Sequence, residues 1–409
     1  MNKKKIINDP LYGFISIPTE IIYDIINHPY FQRLRRIKQL GMTDFVYPGA
    51  LHTRFHHALG SMYLMNESMI NLKVKGVDIS EEEHNAALLA ILLHDVGHAP
   101  FSHALENELV VGLNHEQISL IIMKELNRQF DGALDLAIKI FSGTYNRKFF
   151  HQLVSSQLDI DRLDYLNRDS FFTGVVEGRI GADRIIKLLN VHMDELVVEE
   201  KGIYSIENFL SARRLMYWQV YIHKTTVGVE KMLIQIVRRA RAIGEETQLA
   251  SHGLNYFINN SITQEMLGTD KSVLEAFCFI DDYDILGSIK GWYHSKDKVL
   301  AQLCRMLLER KLFNVRLSEN KTKRAELEKI KEKVASSHEI DISSADYFVV
   351  EGVKTNSAYI GGNQPINMLT KTGKIVDIAN ASDLPNIKAM RKIVKKYYLC
   401  WPKDLSLQE

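Results

Sequence analysis

Apolar residues along the chain recur mostly at helical spacing and seldom alternate. Pro10, Gly13 and Pro18 make the start non-helical, and Thr19 then N-caps a helix through Asn27, with Glu20 in its first turn. Asn27-His28-Pro29 breaks it. Phe31, Leu34, Ile37 and Leu40 predict a second helix that ends at Gly41. After a loop holding Pro48 and Gly49, a helix is expected from about Arg54 to Leu72. A Ser80/Glu83 capping box opens another that runs to His94. Helical patterns resume at Ser102, at His115 and across 148–169. The first strand signal is Glu195 to Ile206, where Leu-Val-Val and Ile-Tyr-Ser flank Glu-Glu-Lys-Gly as in a short hairpin. A long helical stretch over 206–244, with a bend near Gly228, and further helices over 262–315 complete this part.

From Ser318 the texture changes. Residues 319–334 are rich in Lys and Glu at helical spacing, the pattern of a solvated helix face. Tyr347-Phe348-Val349-Val350 and Lys374-Ile375-Val376-Asp377-Ile378 read as strands separated by Gly361-Gly362, and a helix is expected near 386–398. The expected fold is mainly α: a helical core with its extension over 1–315, carrying one short hairpin, and a smaller α+β region over 316–409.

Composition changes this picture little. With 409 residues, 46% hydrophobic and 25% charged, the chain can bury a large core. A net charge of +1 argues against a surface that tracks nucleic acid. Cys278, Cys304 and Cys400 are far apart and in no metal-ligand spacing, which suits free thiols in a reducing cytoplasm. Only Ile6 and Ile7 follow the basic N-terminus before Asn8-Asp9-Pro10, too short an apolar stretch for a signal peptide. The longest apolar run, Ala86 to Leu93, is less than half of a bilayer span. A cytoplasmic protein without a membrane partner is expected.

The densest cluster of metal-capable residues is His94-Asp95-Val96-Gly97-His98-Ala99-Pro100-Phe101-Ser102-His103. Imidazole nitrogen beside carboxylate oxygen suits a hard or borderline divalent ion such as Mg²⁺, Mn²⁺, Fe²⁺ or Zn²⁺. Upstream, His56 and His57 lie next to each other in a helical pattern, so they point about 100° apart and at most one faces a given site. Downstream, Asp159, Asp161, Asp164 and Asp169 fall within eleven residues. Asp161, Tyr165 and Asp169 share a stripe opposite Leu163 and Leu166, and spacing leaves both Asp159 and Asp161 open as ligands.

The order H…HD…D, filled by His57, His94-Asp95 and Asp161, resembles the HD phosphohydrolase superfamily. Lys5-Ile6-Ile7-Asn8-Asp9-Pro10, the run from Phe31 to Gly41, and Pro48-Gly49-Ala50 are similar to its dNTP triphosphohydrolase branch. So are Arg54 to Gly60, His94 to His103 and Asp161 to Asp169; together these segments carry the resemblance over roughly 3–235. The resemblance implies an HD-domain helical core that hydrolyses deoxynucleoside triphosphates to deoxynucleoside and inorganic triphosphate. It implies one divalent ion (Mn, Mg, Fe, Zn or Ni) held by His57, His94, Asp95 and Asp161. His103 and His115, with Glu106 as carboxylate partner, would handle the proton of the departing 5′ oxygen. Arg54, Arg162, Arg213 and Lys224 would contact phosphates, and Gln39, Tyr165 and Asp169 the deoxyribose. An activating nucleotide between subunits would use Lys5, Asn8, Asn27, Gln32 and Arg35, within a homo-oligomer, a tetramer or dimer. Four positions depart from the family pattern: Glu106 replaces a shorter Asp, Arg162 a Lys, Tyr217 a His and Asn27 an Asp. At the last, an amide donates as well as accepts, so the resemblance does not carry strict guanine reading over to Asn27. The alternative within the superfamily is another phosphorylated nucleotide: a monophosphate, a cyclic dinucleotide or an alarmone.

Overall fold

Polar caps set where the central helices begin. Ser80 Oγ accepts from Glu83 N (3.1 Å) while Glu83 Oε2 accepts from Ser80 N (2.9 Å), opening the helix Glu81–Leu93. From Ala86 to Leu93 every residue of this helix is buried, so it is a core helix with no solvated side in that half. Arg54–Val74 packs along one flank of it and Asp135–Phe141 along another, and Ile160–Thr173 packs in turn on Arg54–Val74. Ile160–Thr173 starts at Asp159, whose carboxylate accepts from Arg162 N at 2.8 Å. The computed structural model describes residues 5–244, 251–356, 359 and 364–405, apart from the side chains of His103 and Asn386.

The sheets are small. Ile6–Asp9 and Gly13–Ser16 form an antiparallel hairpin. A four-stranded sheet runs Leu189–His192, Glu195–Glu199, Asn367–Leu369, Ile375–Asp377, its one parallel pair joining Glu195–Glu199 to Asn367–Leu369. A three-stranded antiparallel sheet has Val394–Pro402 between Phe313–Ser318 and Val350–Asn356. One apolar core extends from Ile15 to Trp401, and the boundary expected at 315/316 falls inside the strand Phe313–Ser318.

Several expectations need correction. Strands begin well before Glu195: the start, non-helical as expected, holds a β-hairpin, where Asp9 Oδ1 accepts from Leu11 N and Tyr12 N and so closes a turn. The helix expected up to Gly41 stops at Arg36: Ile37 is extended and Lys38 bridges to Thr53. The 148–169 segment is two helices, Lys148–Val154 and Ile160–Thr173, split by the Asp159 cap. The second hairpin turns at Met193-Asp194, both with positive φ, and Ile203 already belongs to the helix Ile203–Met216. The long helix breaks over Tyr217–Tyr221, not at Gly228, and restarts as Lys224–Ile243. Residues 394–402 are strand rather than helix, and Tyr347 lies in a 3-10 turn ahead of the strand Val350–Asn356. Gly361-Gly362 lie outside the described residues.

Candidate metal centre and active site

Three helices deliver four donors to one point. Arg54–Val74 supplies His57 from its first turns, Glu81–Leu93 ends at His94 with Asp95 next, and Ile160–Thr173 supplies Asp161 from its first turn. His57 Nε2 lies 3.3 Å from His94 Nε2, 3.1 Å from Asp161 Oδ1 and 3.6 Å from Asp95 Oδ2. His94 Nε2 lies 3.3 Å from Asp95 Oδ1 and 3.5 Å from Asp161 Oδ1. The other ring nitrogens are occupied: His57 Nδ1 meets Asp164 Oδ2 at 2.7 Å and His94 Nδ1 meets Ile91 O at 2.6 Å. Each contact gives an N–H on Nδ1 an acceptor and turns Nε2 toward the shared point, where a cation would take the place of the Nε2 proton, the arrangement of a metal-ligating imidazole. The donor set therefore fits a divalent ion.

Electrostatics agree. Burial opposes charge on His57, but hydrogen bonds to Asp161 and Asp164 outweigh it and raise its pKa to about 10. Burial would raise Asp161, yet the two imidazoles hold its carboxyl well below the usual range. Protons and carboxylates thus balance where a cation would otherwise sit. Asp161 is the most open of the four, its side chain 27% exposed, so substrate can approach from its side. Asp159 has a different job: it accepts from Ser156 N (2.8 Å) and Arg162 N and pairs with the Arg162 guanidinium. His56 bonds to Thr53 at the helix start, so of the two adjacent histidines His57 alone joins the cluster.

The turn after His94 is pinned to the helix His115–Gln129. Ser119 Oγ donates to His94 O (2.7 Å) and accepts from Gly97 N (2.9 Å). A Cβ on Gly97 would overlap the His115 carbonyl and Ser119 N. This contact stacks His98 on His115, centroids 3.9 Å apart. His115 Nδ1 lies 2.9 Å from Glu106 Oε1, and the same oxygen accepts the His115 backbone N–H. Asp95 Oδ1 is 3.3 Å from His98 Nε2, and Asp95, His98 and His115 form a second group of close donors. Burial and then Arg54 push His98 well below the ordinary histidine pKa, so its ring is neutral. His103 lies in the turn Ser102–Ala104, its side chain outside the described part. Arg54 pairs with Asp95 and donates to Ser102 Oγ (3.0 Å).

Beside this cluster lies a second group of polar residues. Asp169 Oδ2 accepts from Tyr221 OH (2.8 Å), its Oδ1 meets His52 Nε2 (2.7 Å), and Tyr165 sets its ring edgewise to Tyr221. Gln39 N donates to His52 O, and Gln39 Oε1 is buried without a hydrogen-bond partner among the described residues. Gln39, Tyr165 and Asp169 are thus brought together through His52 and Tyr221. Arg213 Nη1 donates to Gln157 Oε1 (3.1 Å); burial lowers its pKa, with Tyr165 and Arg162 the next largest influences. Lys224 is not brought to this site. It is exposed in the first turn of Lys224–Ile243 and lines a separate groove with Trp218, His223, Asn314 and Lys403. Tyr217 donates to Thr355 O, toward the C-terminal sheet.

The N-terminal residues form two small groups. Lys5 Nζ and Asn27 Nδ2 both reach Tyr23, at its hydroxyl and its carbonyl (2.9 Å each). Gln32 donates to Ile26 O and accepts from Arg35 Nε (2.9 Å), and Arg35 lies 3.6 Å over the Phe55 ring. Asn8 is exposed on the first strand. Three buried residues, His52, Asp164 and Arg168, and the partly buried Tyr221 complete the centre, and their spacing in the sequence gives them no role there.

A helical core whose His, His-Asp and Asp donors converge in this way defines a metal-dependent hydrolase of the HD type. Residues 54–169 match the family model described as HD domain, and residues 180–254 that described as HD associated region. The crystal structure of a phosphohydrolase (BT4208) from Bacteroides thetaiotaomicron is 48% identical, with a TM-score of 0.94 over 98% of this chain and 100% of that one. The uncharacterized protein YwfO of Bacillus subtilis is 32% identical over 99% of this chain and 94% of its own. The deoxynucleoside triphosphate triphosphohydrolase SAMHD1 homolog of Dictyostelium discoideum is 31% identical over 56% of this chain and 48% of its own length. The chain belongs to the HD superfamily of phosphohydrolases. Among the described residues no helix is long and apolar enough to cross a membrane, and the three cysteines are buried and free.

Proposed function

We propose that this chain hydrolyses deoxynucleoside triphosphates to deoxynucleoside and inorganic triphosphate. The observation that carries the reading is the adjacency of two features. Two histidine Nε2 atoms converge with carboxylate oxygens of Asp95 and Asp161, next to a polar subsite built from Gln39, Tyr165, Asp169 and Tyr221. In the reaction, water attacks the α-phosphorus and the bond from phosphorus to the 5′ oxygen breaks. His57, His94, Asp95 and Asp161 would hold a divalent ion, which when bound would supply Lewis-acid polarisation of the phosphate and the attacking water. Asp164 and the Ile91 carbonyl keep both imidazoles oriented for it. His115, fixed through Nδ1 on Glu106, donates a proton from Nε2 to the departing 5′ oxygen, matching the proton lost by the attacking water, and His103 is the other candidate. Arg54, Arg162 and Arg213 contact phosphate oxygens, which guanidinium groups pair with well. Gln39 and Asp169 bond the 3′-hydroxyl, and the Tyr165 ring crowds a 2′-hydroxyl. The protein works in the cytoplasm as a homo-oligomer, with Lys5, Asn8, Asn27, Gln32 and Arg35 at a nucleotide-activated interface.

The test is product analysis by ion-exchange chromatography after incubation with Mn²⁺ and each dNTP, then with all four together. Deoxynucleoside plus triphosphate, abolished in Asp95→Ala, is the expected result. Turnover only in the mixture signals nucleotide activation. No dNTP turnover, with release of product from a monophosphate or cyclic dinucleotide instead, would overturn the substrate.

A further inference from the structure

Asp9 ends the first strand, one residue beyond Asn8, and is 4% exposed although it is an acid. Its Oδ1 closes the hairpin turn on Leu11 N (2.9 Å) and Tyr12 N (3.0 Å). Its Oδ2 lies 2.9 Å from Arg168 Nη1. Arg168, 0% exposed, turns Nε and Nη2 as a fork onto Asp164 at 2.9 and 3.0 Å. Asp164 then holds His57 Nδ1 at 2.7 Å. An unbroken run of charge-assisted hydrogen bonds therefore leads from the N-terminal hairpin to the metal centre.

The surroundings are shaped for this run. A Cβ on Gly60 would overlap both Asp164 Oδ1 and Arg168 Nη2, so the helix Arg54–Val74 leaves its one clear place where they cross. The Tyr12 ring lies beside the guanidinium at 5.4 Å and stacks on Tyr63. With water kept out, the single Arg168 charge is shared by two carboxylates, and each sets how firmly the other is held. Without Asp9 the fork loses its brace, and the Asp164 carboxylate and the His57 ring gain rotational freedom.

We propose that Asp9 is a positioning residue for His57, acting through Arg168 and Asp164, so that the N-terminal hairpin is part of the metal centre. The inference rests on the reading of His57 as a metal ligand. Partners that orient a ligand directly change metal affinity by about 10–100-fold, and Asp9 stands two groups further out, so a loss of about three- to tenfold is expected.

The experiment is Mn²⁺ titration by isothermal calorimetry on the full chain, comparing the parent, Asp9→Asn and Asp9→Glu. Asp9→Asn weakens Mn²⁺ binding by that factor, and Asp9→Glu, which keeps the charge, recovers part of the loss. A merely structural role gives another pattern: Asp9→Asn lowers the unfolding temperature of metal-free and Mn²⁺-loaded protein equally and leaves the affinity within about twofold of the parent, well short of an outer-shell effect. That pattern overturns the proposal. Should Asp9→Asn not yield folded protein, Arg168→Lys, which keeps the charge and loses the fork, is titrated with the same two outcomes. Metal binding is read without nucleotide, so absent dNTP turnover would count against the substrate alone.

Discussion

Asp159 and Asp161 carry the same side chain two residues apart and do unrelated work. Asp161 points its Oδ1 at two histidine nitrogens, while Asp159 is 1% exposed and caps its helix while pairing with Arg162. Replacing each by Ala separates the roles. Asp161→Ala removes an ion ligand and lowers kcat/KM on the order of a thousandfold, since a catalytic metal supplies several kcal/mol of charge stabilisation. Calorimetry detects the matching loss of Mn²⁺ binding. Asp159→Ala still binds one Mn²⁺ per chain but loses about 1–2 kcal/mol of stability with its cap, read from urea unfolding. If Asp159→Ala abolished metal binding while Asp161→Ala kept it, the ligand assignment would be reversed.

Among the elements, the start of Glu81–Leu93 has most at stake, because that helix ends in the His-Asp pair. Ser80→Ala removes half of the capping box and costs about 1 kcal/mol. Glu83→Ala costs more, about 2–3 kcal/mol, because Glu83 Oε1 also takes Tyr145 OH (2.8 Å) and Arg147 Nη1 (2.7 Å). Equal effects in urea melts would mean those two contacts contribute nothing. This start was legible in the sequence because a capping box is a local signal, and so was the Thr19 cap of Glu20–Asn27. The strand Val394–Pro402 was not: its state is decided by pairing with Phe313–Ser318 and Val350–Asn356, partners distant in sequence. The same limit applied at the site. The stripe through Asp161, Tyr165 and Asp169 was visible, but Asp164 and Arg168 were not singled out. An acid and a base four residues apart usually mark a solvated pair, and only burial against Gly60 and Asp9 turns them into support for His57. His52 and Tyr221 gave no signal, being joined to Asp169 only by the fold.

At the scale of the whole molecule, residues 280–282 clamp the loop that carries the His-Asp pair. Arg33, fully buried, donates to the carbonyls of Ile280 (2.7 Å), His98 (2.9 Å) and Val96 (3.5 Å). Asp282 takes Lys38 N (2.8 Å) on one oxygen and Phe101 N (2.7 Å) on the other, holding Phe101 in a left-handed conformation at φ 53°. Burial pushes the Asp282 carboxyl up to about 6, against the pull of those two N–H groups. A raised acid pKa means that the folded protein binds a proton that the unfolded chain has released, in the window from about 4 to about 6. The contribution of this group to stability is therefore present at the acidic end of the window and is lost as pH rises through it, by up to about 3 kcal/mol. Asp282→Asn cannot titrate, so the parent's advantage over this variant should shrink by that amount across the window, as read from paired urea melts. The amide keeps one acceptor oxygen for the two N–H groups of Lys38 and Phe101, so the variant is the less stable protein at low pH. A difference between the two proteins that stays flat with pH would mean that water reaches Asp282 and that the clamp is open in solution.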